Sequence, residues 1–513
     1  MNLEIQSTGV ADPPRFDLDS MVAQRSAAPD PSLREAFVAY GRAATNLDRL
    51  FAGQALCVTT GQQPGLLTGP LYTVYKALSA VSLAQVAEER IGRPVVPVFW
   101  VAGDDHDFAE VNHLHIVTVG NSLERITLRE REPTAPQRPM YREPVGDDID
   151  HVLEILRRET PDTEYRAEIV DWIHRHYHAS ADIASAFAAS LAELLGRYGL
   201  VVFQPTHRTA KQASSTWLFR ALQGAVDLNR ALEMRAQDLE QAGQAAPIAI
   251  GEETTMVMIE AELGRDRLVI DGDGFKTRRS GERWTIEQLR EISQEEPQRL
   301  SANVLLRPVV EAALLPTLAY VGGPSEVAYL QQSEPLYDAL GVKPQATVTR
   351  WGARVIEGRI AKVLDKYDVG AGELGAPEGQ LEARLVRDQI PDDASRALGN
   401  LRKALDQDYD LLGQAVAEVD STLQKPVQTA RHNALRSLAD VEKRLISQLK
   451  KRNDTVVQQL EKARTNLMPL GKPQERVLNA VPYLIRYGPA FIDRAYGSCT
   501  EWARRLDTGR SQT

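Results

Sequence analysis

The sequence predicts an α/β domain, a sheet covered by helices and interrupted by inserted connecting segments, followed by an α-helical coiled-coil domain. Three observations carry that prediction. Up to about residue 368, the short apolar runs ALCVTT (55–60), VVPVFWVAG (95–103), LVVFQ (200–204) and TTMVMI (254–259) alternate with helical-looking stretches, the grammar of buried strands flanked by helices. The segment GAGELGAPEG, Gly370 to Gly379, then concentrates glycine and proline as a domain edge does. Beyond Leu401, apolar residues recur at alternating spacings of four and three, the seam of a coiled coil.

In order along the chain, residues 1–369 are expected to form the core, with an insertion near 120–190 where charged and proline-bearing sequence breaks the strand pattern. That insertion carries a His-rich helical stretch at His174, His176 and His178. His174 and His178 share an i, i+4 spacing and are read as surface decoration, and no metal site is assigned. Residues 370–380 are expected to be a linker and 381–468 a helical arm. In the arm, Leu405, Tyr409, Leu412, Val416, Val419 and Leu423 form a first seam, and Pro426 is expected to break or kink the helix. Leu438, Val441, Leu445, Leu449, Val456 and Leu460 form a second seam, so two long helices fold back or pair with another chain. The arm is read as an architectural or dimerising device. Residues 469–513 regain aromatics (Tyr483, Tyr487, Phe491, Trp502) and are expected to pack back on the core.

Composition narrows the function. The 513 residues, 43% hydrophobic and 25% charged, suffice for two or three domains with a sizeable core. A net charge of −10 argues against a general nucleic-acid surface, whose affinity rests on neutralising phosphates. The two cysteines, Cys57 and Cys499, exclude a disulfide framework and suit a reducing compartment. The amino terminus lacks a signal-peptide apolar core and no later run is long enough to span a membrane, so a cytoplasmic protein is expected. Cys57 lies within the first predicted strand and is read as a packed core thiol.

Chemistry concentrates in three places. The first is TGQQPGLLTGPLYTVYK, Thr60 to Lys76, directly after the first strand. Gly61, Gly65 and Gly69 allow close backbone approach, and Pro70 suits the first turn of a following helix, whose amino terminus would be an anion site. The segment is neither a P-loop nor a dinucleotide fingerprint. Gln62, Gln63, Tyr72 and Lys76 could orient an amide, a sugar hydroxyl or a phosphate. The second is VFWVAGDDHDFAEVNHLHI, Val98 to Ile116, where a strand ends in Asp104, Asp105, His106 and Asp107, and Asn112 with His113 finishes the loop. Polar groups at the carboxyl end of a parallel strand face the ligand crevice, and an imidazole beside carboxylates suits a general base. The third is LRPVVEAALLPTLAYVGGPSEVAYLQQSEPLYDALGV, Leu306 to Val342. Arg307 suits a carboxylate or phosphate, Gly322 and Gly323 make a turn, and Ser325 and Glu326 open a helix. Glu326 could meet an amino group, although plain capping suits Ser325 and Glu326 equally.

These segments, with PLGKPQERVLNAVPYLIRYGPAFI near the end, resemble the successive signatures of the bacillithiol biosynthesis cysteine-adding enzymes, the BshC family, in the family's order and across nearly the whole chain. The resemblance implies a Rossmann-like, nucleotidyltransferase-type core and a coiled-coil domain that mediates homodimerisation. It implies a ligase that adds L-cysteine to the amine of glucosaminyl-malate. Forming an amide from a free carboxylate requires activation, so ATP is expected, with magnesium admitted beside it. On this reading the Gly61–Gly69 loop holds phosphate with Lys76 contributing, His106 oriented by Asp105 or Asp107 takes the amine's proton, and Arg307 binds malyl carboxylates. One position departs from the family pattern: Asp104 stands where the acidic loop carries Glu. Two other readings stay open, a nucleotidyltransferase for a different acid or sugar, and a non-enzymatic nucleotide-responsive scaffold.

Overall fold

The computed structural model describes residues 3–8, 22, 28–251, 253–377, 379–387, 390–452 and 454–508. The chain divides into two compact units, one of Leu3–Val355 with Gln474–Thr513, the other of Ile356–Pro473. In chain order the first contains β1 (Phe37–Val38), β2 (Leu56–Gln62), α1 (Leu71–Ile91), β3 (Val95–Val101), α2 (Phe108–Val111), β4 (Val201–Phe203), α3 (Arg208–Gln223), β5 (Thr254–Ala261), β6 (Gly264–Asp271), β7 (Gly274–Thr277), β8 (Arg283–Trp284), β9 (Leu300–Ala302), α4 (Arg307–Leu314), β10 (Thr317–Gly322), α5 (Pro324–Gln332) and β11 (Ala346–Thr349).

The central sheet has the order β11-β10-β2-β3-β4-β1. Its first five strands run parallel and β1 closes the edge antiparallel to β4. Every residue of β3 is buried, as expected of a strand covered on both faces. The chain builds outward from β2 through β3 to β4, then returns to place β10 on the other side of β2. The order therefore reverses between β2 and β10, and in open parallel sheets the ligand crevice lies at the carboxyl ends of such neighbours. Helix α1 fills one side of this sheet. It is buried on nearly all faces and packs against the sheet and against helix Pro489–Thr508, ending at Gly92, whose φ of +64° provides the left-handed cap.

TTMVMI is a strand but not part of the parallel sheet. It forms β5 of a separate antiparallel sheet, order β8-β7-β6-β5-β9. A short apolar run reports burial without reporting the direction of its partners, so the sequence could not separate the two. Between β3 and β4 lie a hairpin (His113–Val117 with Leu123–Thr127) and three helices, Asp148–Glu159, Arg166–His176 and Ile183–Leu195. His178 falls beyond the second of these, bonded to Ser180, and His176 pairs with Glu193 at 2.6 Å, so His174 and His178 do not share a helix face.

In the second unit, Ala371 and Leu374 are buried with Ile356, Ile360, Leu460 and Leu467. Ala371 and Leu374 thus tie this glycine-rich stretch to the second unit, and the division between the units falls ahead of it, at Val355/Ile356. Helices α6 (Asp392–Val419) and α7 (Gln424–Arg452) fold into a hairpin followed by α8 (Asp454–Leu467). Arg431 reaches Asp406 and Asp410 at 2.8 and 2.7 Å across the hairpin. The break comes at Asp420. Pro426 sits in the first turn of α7, where its missing N–H costs nothing. The C-terminal segment from Gln474 belongs to the α/β unit, with Tyr483, Phe491 and Trp502 buried in its core. No described helix is long and apolar enough to cross a membrane.

Candidate functional site

At the order reversal, the end of β2 meets the turn between β10 and α5. Lys76, from α1 and almost wholly buried, donates to Gly61 O, to Gln62 Oε1 at 3.1 Å and to Glu326 Oε2 at 2.6 Å. Glu326 also accepts from Gly323 N at 2.7 Å and from the Tyr320 hydroxyl at 3.0 Å. Burial alone would raise the Glu326 carboxyl, but Lys76 and the Gly323 N–H outweigh it and hold the group ionised. Glu326 therefore has an ammonium already in hand, with Ser325 exposed beside it in the first turn of α5. Gln62 Nε2 donates to the Tyr72 hydroxyl at 3.1 Å. Burial, then Glu110 and Glu326, push the Tyr72 phenol up to about 12, so it stays protonated within electrostatic reach of both acids.

The adjacent residue connects the other half. Gln63 Nε2 donates to Asp105 Oδ2 at 2.7 Å and to Glu110 Oε2 at 3.0 Å. Asp105 Oδ1 accepts the backbone N–H groups of His106 and Asp107 at 2.7 and 3.1 Å, while Asp107 caps α2 through the Glu110 N–H at 3.2 Å. Both carboxylates are thus used in shaping the loop, and neither bonds the His106 ring. They do not orient it as expected. The imidazole is half-buried, its Nδ1 is buried without a protein partner, and burial followed by the Arg265 charge holds it below the ordinary histidine value. His106 is accordingly neutral at pH 7 and able to accept a proton. Asp104 pairs with the buried Lys211 of α3 at 2.5 Å, and Lys211 also donates to Leu300 O at 3.0 Å.

Several predicted contacts have structural employment instead. Thr60 is buried and bonds Val321 O at 2.7 Å, tying β2 to β10. A side chain at Gly61 would put Cβ 2.8 Å from Trp100 O, so this glycine serves the β2–β3 approach. Gly65 and Gly69 pack on each other, a Cβ at Gly65 lying 2.8 Å from Gly69 Cα, and Gly69 has φ +71°. The whole Gly65–Gly69 turn is buried. The first N–H of α1, that of Leu71, donates to Leu478 O at 2.8 Å, and Asn479 Nδ2 satisfies Leu67 O and Gly69 O at 2.9 and 2.8 Å. The α1 terminus therefore does not fit a phosphate, because the C-terminal segment already caps it. Asn112 is fully buried and bonds Arg129 O at 2.7 Å. Arg307 is neutralised by the buried Glu311 at 2.8 Å and lies over the Tyr320 ring, 5.0 Å from its centroid, although Nη2 lacks a partner. The Gly322–Gly323 turn is where β10 delivers Glu326. Cys57 and Cys499 are buried and form no disulfide, and burial pushes the Cys499 thiol up to about 12.

Sequence reasoning missed Lys211 and Arg265. Lys211 lies one turn into the helix after β4, close in sequence to the carboxyl end of a parallel strand, and that placement was a usable signal. Arg265 belongs to a sheet whose relation to the crevice the sequence does not encode.

A five-strand parallel layer with a reversed order, polar groups gathered at its carboxyl edge and a separate helical hairpin define a Rossmann-like protein with a coiled-coil domain. Family models agree: residues 32–350 match the N-terminal Rossmann-like domain of bacillithiol biosynthesis BshC, and residues 353–503 match its C-terminal coiled-coil domain. The chain belongs to the BshC family. A relative from Heliobacterium modesticaldum, named "Putative cysteine ligase BshC", is 31% identical over 467 residues, covering 90% of this chain and 84% of the relative. Proteins of the same name from Koribacter versatilis (31% identical, 91% of this chain and 87% of theirs) and Bacillus velezensis (26%, 87% and 83%) are similar over the same extent.

Proposed function

We propose that this chain is a ligase that joins L-cysteine to the amino group of glucosaminyl-malate, forming the amide of bacillithiol. The observation that carries the reading is His106: a neutral imidazole with an orphaned buried nitrogen, on the loop leaving a central parallel strand, in a chain whose relatives bear the cysteine-ligase name. The acceptor reaches the enzyme as an ammonium, and only its neutral amine attacks a carbonyl. His106 takes that proton, and the Asp105–Gln63 bond holds the loop in place while it does so. Glu326, held ionised and matched in charge by Lys76, keeps the Gly323 turn in place at the crevice edge. ATP supplies the activation that a free carboxylate requires, and its phosphates are to be sought away from the capped α1 terminus. Two cysteines that form no disulfide suit the cytoplasmic setting of this chemistry.

Mass-spectrometric product analysis tests the reading. Purified protein with cysteine, glucosaminyl-malate, ATP and magnesium should yield bacillithiol, and omitting ATP or either substrate should abolish it. Product without ATP would remove the nucleotide from the proposal, and its absence from folded protein under every condition would remove the ligase.

We infer further that the helical unit pairs with a second copy of this chain. Within the hairpin, Leu405, Tyr409 and Val416 are half-buried, but Leu401, Leu411, Leu412, Val419 and Val441 stay exposed, and α6 buries no residue completely. An apolar row on that scale is what a coiled-coil partner covers.

A further inference from the structure

The cations around the crevice are compensated one by one: Lys76 by Glu326, Lys211 by Asp104, Arg307 by Glu311, Arg142 by Glu260. Arg265 differs. It stands on β6 directly across the antiparallel ladder from Glu260, where opposite charges ordinarily join. Glu260 instead turns to Arg142 at 3.2 Å and accepts from the Tyr141 hydroxyl at 3.0 Å. Among the described residues Arg265 is left without a carboxylate. Its Nε donates to Ser301 Oγ at 3.1 Å and its Nη2 to Ala302 O at 3.0 Å, two neutral acceptors that fix the guanidinium and leave Nη1 uncommitted.

A strap joins this residue to the His106 loop. Arg265 N donates to Gln137 O at 2.9 Å, Met140 N to Asp105 O at 2.8 Å, and Tyr141 N to Gly103 O at 3.2 Å. At Gly264, φ is +85° and a Cβ would lie 2.3 Å from Gln137 O, so the strap runs against the backbone itself. Arg131, from the same stretch, donates to His106 O at 3.0 Å. Arg265 and His106 are held in one frame, and the Arg265 charge acts on His106, Asp105 and Lys211 alike.

We propose that Arg265 binds a substrate carboxylate beside His106, anchoring the substrate next to the group that takes its proton. The inference rests on the ligase reading, in which both cysteine and the malyl group of the acceptor carry carboxylates. A planar guanidinium suits that partner better than a lysine would, because its fork matches two carboxylate oxygens while an ammonium is a point charge.

Calorimetric titration of the full chain with glucosaminyl-malate, cysteine and methyl glucosaminide tests the assignment without requiring turnover. Arg265→Gln should weaken glucosaminyl-malate or cysteine by roughly 10- to 100-fold, the range of a charge-assisted contact. Arg265→Lys should recover part of that loss. Which ligand weakens identifies the carboxylate, and methyl glucosaminide, which has none, should be unaffected. Equal weakening of all three, or no weakening of either acid in a variant whose circular dichroism matches the parent, overturns the anchor. If the parent binds neither substrate, the ligase reading fails and malate alone decides the anchor: Arg265-dependent binding supports it, and no binding overturns it.

Discussion

Deleting the Glu326 carboxylate should cost more stability than deleting the lysine it pairs with. Lys76 is 1% exposed and Glu326 22%. In Glu326→Ala the ammonium stays in its pocket with only Gly61 O and Gln62 Oε1, while the Tyr320 hydroxyl and the Gly323 N–H lose their acceptor. Breaking a buried pair from that side costs about 3–5 kcal/mol. In Lys76→Met the carboxylate reaches water and keeps Tyr320 and Gly323, and methionine occupies the stem volume, so the cost falls to about 1–2 kcal/mol. The double variant should be milder than Glu326→Ala alone, a coupling of about 2 kcal/mol. Burial already holds Lys76 below the ordinary lysine value, and losing Glu326 lowers it further. The Glu326→Ala deficit is therefore complete below the folded pKa and shrinks as pH rises through it toward about 10.4, the unfolded value. All six tryptophans (100, 172, 217, 284, 351, 502) lie in the α/β unit, so their fluorescence in denaturant follows that unit alone. Glu326→Ala less costly than Lys76→Met, or strict additivity in the double variant, would mean that Lys76 does not depend on Glu326 in the folded protein.

Three further outcomes follow from the same geometry. Burial, Arg265 and Arg279 lower His106 while Asp105 and Asp107 oppose them, so the acid limb of kcat/KM should lie below pH 6.5. Arg265→Gln should move that limb upward, and a parent limb above pH 7.5 would contradict the assignment. Gly61→Ala forces Cβ against Trp100 O and should cost about 1–3 kcal/mol, read as a lower melting temperature; an unchanged melt would show that β2 and β3 are not so closely apposed. Replacing exposed Leu411 and Leu412 with glutamate should halve the mass measured by light scattering while leaving the α/β unit folded, and an unchanged dimer mass would place the interface elsewhere.

The sequence made the parallel strands legible because β3 is apolar along its whole length, and the crevice legible because GDDHD and GGPSE end β3 and β10, the two parallel strands on either side of β2. It misread the glycine loop. A glycine permits close approach, but whether a ligand or the protein's own backbone approaches is a tertiary matter, and here Gly69, Trp100, Leu478 and Asn479 do so. It misread Arg307 for the same reason, since Glu311, four residues on, reads as an ordinary helix residue until its burial is known. Proline's incompatibility with helix interiors predicts a break at Pro426, yet a first-turn proline leaves a helix intact. Arg265 was illegible because its importance lies in a missing partner, Glu260, which only the fold removes.

In the proposed ligase, His106 takes the proton of the attacking amine at the carboxyl edge of the sheet. The measurement that tests it most directly is bacillithiol formation by His106→Ala, followed by mass spectrometry at pH 7.5 with and without added imidazole, on protein whose fluorescence and circular dichroism match the parent. A loss of about 10²- to 10⁴-fold is expected, partly restored by imidazole. Full turnover by the variant would contradict it.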